Sequence, residues 1–316
     1  MGQYRFLLFF IFILSGSETS FAQFFFNPKF RYTSIGFSLK ASYFDGDIVT
    51  LVKYIRPGLG VQINRRVHPR ISLMGELMWL RVMGDDYASS NLETPNKIPF
   101  YIRNFHFRND IKELSFNIKY DLFPSTDHYR KRPIYNLYAA AGISFFHHNP
   151  KARIYEDTTF SSRKWVSLRP LMTENKSYSL FQISVPVAVG IRYKLSLQWD
   201  LELELAYRYT FTDYLDDVSG NYVDPALLKN DRARELSNRS AEPKSALSGK
   251  DRDLEKIENE MGYTIVNSSD YNYVEGFGPG SARGSKKGPD GIIIFNIRFL
   301  YALRGTVNCP KFREFE

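Results

Sequence analysis

Gln198–Gly220 reads QWDLELELAYRYTFTDYLDDVSG, and its first half alternates without a slip. Trp199, Leu201, Leu203, Leu205, Tyr207 and Tyr209 fall on one side of an extended chain, and Asp200, Glu202, Glu204, Ala206 and Arg208 on the other. Period two means a strand with one apolar and one charged face. The run has the length a tilted strand needs to cross a bilayer. From Thr212 the sequence turns acidic and turn-forming, so the strand is expected to leave the membrane into a polar loop.

The same alternation recurs along the chain. Strands are expected at about 33–43, 54–66, 71–82, 112–123, 134–146, 183–195, 199–210 and 291–303. The connections between them alternate in length. Val67-His68-Pro69, Pro124–Pro133 and Ser196-Leu197 are short, whereas 84–110, 147–181 and 212–290 are long. An even strand number with short turns at one end and long loops at the other predicts an all-β, eight-stranded antiparallel transmembrane β-barrel with long extracellular loops and periplasmic termini. A soluble lipocalin-like barrel would carry its apolar residues inside. Here Lys40, Glu76, Lys119, Asp121, Arg192, Lys194, Glu202, Glu204, Arg208 and Arg298 occupy the face opposite the apolar one. On the lipid side each would cost a few kcal/mol, roughly 2–4 for a basic residue at mid-depth. We expect them in the lumen, neutralising one another as a plug, since eight strands leave space only for side chains or one small ligand.

Composition agrees with this reading. The 316 residues include 26 Phe and 21 Tyr, yet mean hydropathy is −0.33 and no long apolar helix is evident. Residues 1–22 have the form of a secretory signal, with Arg5, the apolar run Phe6–Leu14 and Ser20-Phe21-Ala22 before the expected cleavage point. The mature barrel domain is then 23–316, exported by the Sec route to the outer membrane. A single cysteine, Cys309, excludes an internal disulfide and leaves pairing with another protein as the alternative to a plain tail thiol. The net charge of +8 is spread over strands and loops without a basic helix or zinc-ligand spacing, so nucleic acid is not an expected partner. Within the 212–290 insertion, 251–261 is expected to form a short charged helix in otherwise mobile surroundings rich in Ser, Gly, Lys and Pro.

Chemistry-bearing residues are sparse. His147 and His148 could serve a lipid hydrolase or a metal, but adjacent strand residues point to opposite faces. Asp213, Asp216 and Asp217 could gather Ca²⁺, although they lack the spacing and the glycine of an EF-hand loop. Loop hydrogen bonding is the plainer reading for them. Gly284-Ser285-Lys286 has the wrong order for a phosphate loop, and no nucleophile elbow or nucleotide fingerprint occurs. A non-enzymatic barrel without cofactor or small-molecule substrate is therefore expected.

Thr212, Asp213, Tyr214, Leu215, Asp216, Asp217, Val218 and Ser219, followed by Tyr222-Val223-Asp224, resemble the hallmark of the PorG-like (DUF6089) family of outer-membrane barrels, associated with the type IX secretion system. Phe146, Asn149–Ala152, Leu168–Leu171, Thr173-Glu174, Gly190–Leu195, Arg283-Gly284, Asp290 and Cys309–Phe312 extend the resemblance over most of 146–312. The insertion between Lys229 and Tyr271, and Gly291 after Asp290, depart from it. The resemblance implies a small structural barrel, in contact with outer-membrane lipid, that links the secretion machine to a periplasmic ring of a lipoprotein and its partner protein. Its short turns (His68, Ser125–Arg132, Ser196) and the Cys309 tail would face that ring. The alternatives are a passive envelope-integrity or adhesion barrel, and an outer-membrane lipid-modifying enzyme built on the two histidines.

Overall fold

The computed structural model describes residues 32–90, 93–125, 129–155, 163–267, 271–284 and 288–303. The expected signal segment and Cys309 lie outside them. Eight long strands form the wall: β1 (Thr33–Asp45), β2 (Arg56–Arg66), β3 (Ile71–Asp85), β4 (His106–Asp121), β5 (Tyr135–His147), β8 (Phe181–Lys194), β9 (Trp199–Thr210) and β12 (Gly291–Ala302). Each pairs antiparallel with its neighbours in the order β3-β2-β1-β12-β9-β8-β5-β4. The β3–β4 pairing closes the cylinder. Closure leaves no edge in this ring, which is how a sheet satisfies its backbone in lipid.

The dressing is that of a membrane barrel. Along β9, Leu203, Leu205 and Tyr209 are exposed while Asp200, Glu202, Glu204, Ala206 and Arg208 are buried. Leu205 is 52% exposed and Glu202 0%. Tyr120, Tyr135, Tyr193, Trp199 and Tyr301 ring the short-turn end, and Trp79, Phe181, Tyr209 and Phe211 the opposite end. Ten residues separate Trp199 from Tyr209, about 33 Å along a strand and roughly 25 Å along the axis at a 40° tilt. That is the height of an outer-membrane apolar band. No helix among the described residues is long and apolar enough to cross a membrane.

Several expectations need correcting at the long-loop end. β3 runs to Asp85 and β4 starts at His106, so the hairpin rises past the neighbouring wall. The span expected as a loop from Gly84 to Asp110 shrinks to 86–105, with two short helices, α1 (Asp86–Ser89) and α2 (Ile98–Arg103). The 147–181 connection holds a further hairpin, β6 (Pro150–Tyr155) with β7 (Arg163–Ser167), which extends the sheet from the top of β4. The large insertion is packed where mobility was expected. It contains α3 (Asp231–Ser237), α4 (Leu254–Asn259) at the place foreseen for a charged helix, and the small hairpin β10 (Ile265–Asn267) with β11 (Asn272–Val274). Tyr101 and Ile102 of α2 bury against Ile257 of α4 and Val274 of β11, so the insertion shares an apolar core with the β3–β4 connection and forms with it a cap over the barrel.

Candidate functional site

Within the wall, buried charge is concentrated in the lumen, and it is layered. In the middle, Lys40 Nζ donates to Glu76 Oε1 at 2.7 Å and to Asn296 Oδ1 at 2.9 Å. Asn296 Nδ2 donates to Glu204 Oε1 at 2.8 Å, and Arg298 joins Glu204 to Glu76. Lys119 grips both oxygens of Glu202 at 2.7 Å and lies 4.0 Å from the centre of the Tyr138 ring. Register explains the convergence: Glu202 sits opposite Arg298 on β12 and Arg192 on β8. Inward glycines make the room. A methyl group at Gly190 would come within 2.5 Å of Tyr138, and one at Gly60 within 2.9 Å of the Lys40 stem.

Towards the short turns, Asp121 takes both Arg66 and Arg192, and Arg132 folds inward. Its guanidinium grips Asp200 and donates to the carbonyls of Tyr129, Leu197, Ser196 and Trp199. A cavity of about 10 Å³ remains beside Arg66, Lys119 and Glu202. That is room for about one water. Arg208 pairs with Glu113 at 2.9 Å nearer the long-loop end. Nine of the ten expected lumen charges are thus buried in this network. Lys194 is the exception: it sits at the turn rim, half-buried, with Nζ on the Arg130 carbonyl at 2.5 Å. Its place at the last residue of β8 puts it at the rim of the wall. Glu113, Arg66 and Arg132 join the network beyond the expected set, as does Asp200 of the charged face of β9. Glu113, Arg66 and Asp200 share the inward parity of the expected residues, whereas Arg132 lies in a turn that strand periodicity does not reach.

The upper lumen is apolar, a layer that the expected plug of paired charges does not include. Met78, Leu80, Val82, Phe107, Ile111, Phe146, Ala206, Ile292 and Ile294 face inward there. Leu215 and Val218 drop into this layer, both buried, and close it from above. The acidic residues between them hold the stopper in place. Asp216 accepts from the amides of Ile48 and Val218 at 2.9 and 3.0 Å. Asp217, in a left-handed backbone conformation at φ 70°, accepts from the hydroxyls of Thr173 at 2.5 Å and Tyr178 at 2.6 Å. Asp290 accepts from the Leu215 amide at 2.9 Å, and its own amide donates to the Thr212 carbonyl at 3.0 Å. Tyr214 donates to Glu174 at 3.2 Å, and Glu174 accepts from the Ser219 amide at 2.9 Å.

Buried arginines tie the stopper to the cap. Arg283 reaches Glu174, the Asp217 carbonyl and the Ser237 carbonyl at 2.9, 2.6 and 3.0 Å. Arg103 forks onto Asp86 and donates to the carbonyls of Asp47 and Arg283. Arg252 donates to the carbonyls of Tyr101 and Ile102 in α2. Burial pushes Asp217 up to about 6 despite Arg283, and pushes the half-buried Asp213 up to about 6 with help from Asp47. Asp213, Asp216 and Asp217 turn to different partners. Among the described residues no three His, Cys, Asp or Glu side chains are grouped as metal ligands.

The two histidines diverge. His147 stacks edge-on against Phe181 on the lipid side, with ring centres 4.9 Å apart. His148 is buried, its Nε2 3.1 Å from the Ser179 carbonyl and its Nδ1 3.4 Å from Asn109. Burial brings it down to about 4, so it is neutral near pH 7. They form no catalytic couple.

With the barrel and its stopper described, the match to a domain of unknown function, DUF6089, over residues 7–229 falls into place. The chain belongs to this family. The DUF6089 match covers the first seven barrel strands and the stopper segment and ends where the insertion begins, whereas the resemblance read from the sequence lay mostly in the second half. No curated protein matches the chain. Among solved structures it is similar to a major outer-membrane protein of Thermus thermophilus, at 13% identity over 86% of this chain and 99% of that one, with a TM-score of 0.38. It is also similar to OprG of Pseudomonas aeruginosa (8%, 88% and 98%, 0.36) and to Ail of Yersinia pestis (10%, 86% and 97%, 0.32). At such scores these likenesses carry no functional argument.

Proposed function

We propose that this DUF6089 protein is a plugged outer-membrane barrel that acts as a structural component of type IX protein secretion, linking the outer membrane to a periplasmic ring. The cap would face outward, and the short turns with the Cys309 tail would face the periplasm. One observation carries the structural role. The lumen is filled through its whole depth, by arginine and carboxylate pairs at the bottom and middle and by Leu215 and Val218 at the top. A barrel so filled offers no path for a solute and is suited to anchoring. The secretion context rests on the resemblance of the Thr212–Ser219 segment to the PorG-like barrels. Affinity purification of the full tagged chain in mild detergent tests it: a periplasmic lipoprotein and its partner should co-purify and crosslink from Cys309. Intact secretion after deletion of the gene, together with no captured ring protein, would overturn it.

A second reading, a surface-binding or adhesion barrel, draws on the packed cap. The core that Ile257 and Val274 form with Tyr101 and Ile102, and its arginine anchors, give it the rigidity of a binding module. Normal secretion with altered surface binding after removal of 225–280 would favour that reading.

A further inference from the structure

The lipid-facing side of β2, β3, β4, β5 and β8 is grooved. A groove of about 840 Å³ runs past Leu59, Val61, Leu77, Leu114, Phe145 and Ile183. A second groove, of about 850 Å³, shares Val61, Leu77 and Leu114 with it and continues towards the short turns. Between them lies Gly75, whose outward position leaves a notch: a methyl group there would meet only Ile63 and Phe116, at 3.6 and 4.0 Å. The two grooves form one apolar channel on the wall, open to the membrane.

Its upper end is basic. Lys112 faces outward beside Trp79 and His147, its cross-strand partners, and lines the groove. One step higher on the same face, Arg81 pairs with Asp110 at 2.6 Å, and Arg108 lies 3.6 Å from the same carboxylate. Lys151 of β6 is directly across from Arg108. One carboxylate thus meets two guanidiniums, and Lys112 and Lys151 have no acidic partner among the described residues. Trp79 and Trp165 lie under Arg81 and Arg108, fixing the two planes at 5.4 and 4.6 Å. Lysines at the head of an apolar groove, at the depth of an aromatic girdle, match a ligand with an anionic head and several acyl chains.

We propose that this face binds a phosphorylated, multiply acylated glycolipid of the outer leaflet. Its phosphate sits between Lys112 and Lys151, and its acyl chains lie along the groove past Gly75. The proposal rests on the reading that the cap faces outward. An ordinary phospholipid would bring fewer chains and a smaller anionic head to the same place.

The test uses the full mature chain, refolded in detergent and analysed by native mass spectrometry against three probes: bisphosphorylated lipid A, dephosphorylated lipid A and phosphatidylglycerol. Bisphosphorylated lipid A should be retained most. The Lys112→Gln/Lys151→Gln variant should lose retention by about tenfold, the weight of one charge-assisted contact. Gly75→Leu, whose side chain has space, should weaken retention of both lipid A forms by filling the notch. Heat-modifiable migration on gels verifies that each variant is folded. Equal retention of the three probes, or no loss in the lysine variant, overturns the proposal. Orientation is read separately by labelling a Lys250→Cys cap in intact cells. An unlabelled cap overturns the topology, and with it the outer-leaflet site, whereas a labelled cap without phosphate selectivity overturns the site alone.

Discussion

Arg283 and Glu174, 109 residues apart in the chain, meet at 2.9 Å in a buried ion pair between the insertion and the β7–β8 connection. The same guanidinium reaches the Asp217 carbonyl, so one side chain links the stopper, the cap and a second loop. Replacing Arg283 by Ala leaves Glu174 as an uncompensated buried charge, a change that costs about 3–5 kcal/mol. Because the wall strands do not depend on this pair, the loss should fall on the cap. Limited proteolysis should nick 221–284 much faster in the variant, while the barrel core keeps its heat-modifiable migration.

The central lumen is expected to suffer more from a single change than from a paired one. Glu76 carries both Lys40 and Arg298, and Glu76→Gln leaves Lys40 without a carboxylate and Arg298 with only Glu204 and Glu202. The variant should unfold at clearly lower urea, by about 3–5 kcal/mol. Converting Lys40 and Glu76 together to Met removes the buried charges in pairs and should cost less than the single change. Equal costs would show that the lumen pairs are not coupled.

The lipid face has its own test. Leu205 is exposed near the middle of β9. Leu205→Arg should destabilise the inserted barrel by about 2–4 kcal/mol. The expected effect is confined to the bilayer and fades in a small-headed detergent micelle, where the guanidinium can reach water.

Acid and base act differently on the cap. Asp213 and Asp217 have folded-state values near 6, above the ordinary carboxylate value of 3.8. The closed cap therefore holds protons that an open one has released. This contribution is fully present below about pH 4 and lost as pH rises through 6. His148 works the other way: its folded value near 4 lies below the ordinary 6.5, so its contribution is present above 6.5 and lost as pH falls through 4. Two carboxyls outweigh one imidazole, and cap proteolysis should be slower at pH 5 than at pH 7.5. Asp217→Asn should flatten the difference.

The wall was legible in the sequence because lipid and lumen impose opposite polarity on alternate residues, as Trp199–Tyr209 shows. Where both faces are apolar the signal vanishes. In Leu77-Met78-Trp79-Leu80-Arg81-Val82-Met83 the inward Met78, Leu80 and Val82 are as greasy as their outward neighbours, so neither the apolar upper lumen nor the true end of β3 could be read. The cap was illegible for a different reason. Its arginines bond to backbone carbonyls distant in sequence, such as Arg252 to Tyr101, and a carbonyl leaves no trace in composition. Glu174 and Arg283 both lie among the residues that carry the family resemblance, but their meeting is a tertiary fact.

The neck of the insertion bears on how the barrel assembles. Asn221 pairs with Ala282, Tyr222 exchanges backbone bonds with Ser281 and Gly280, and the Arg283 amide donates to Gly220. Of the roughly 80 residues between β9 and β12, about 60 are therefore closed off by this staple just above the two strands. Once stapled, β12 is held to β9 by a tether of roughly 20 residues, which lowers the entropy cost of docking it by about 1 kcal/mol. The stapled neck thus shortens the loop that must close when the last strand docks. Truncating the cap should slow refolding more than it lowers final stability.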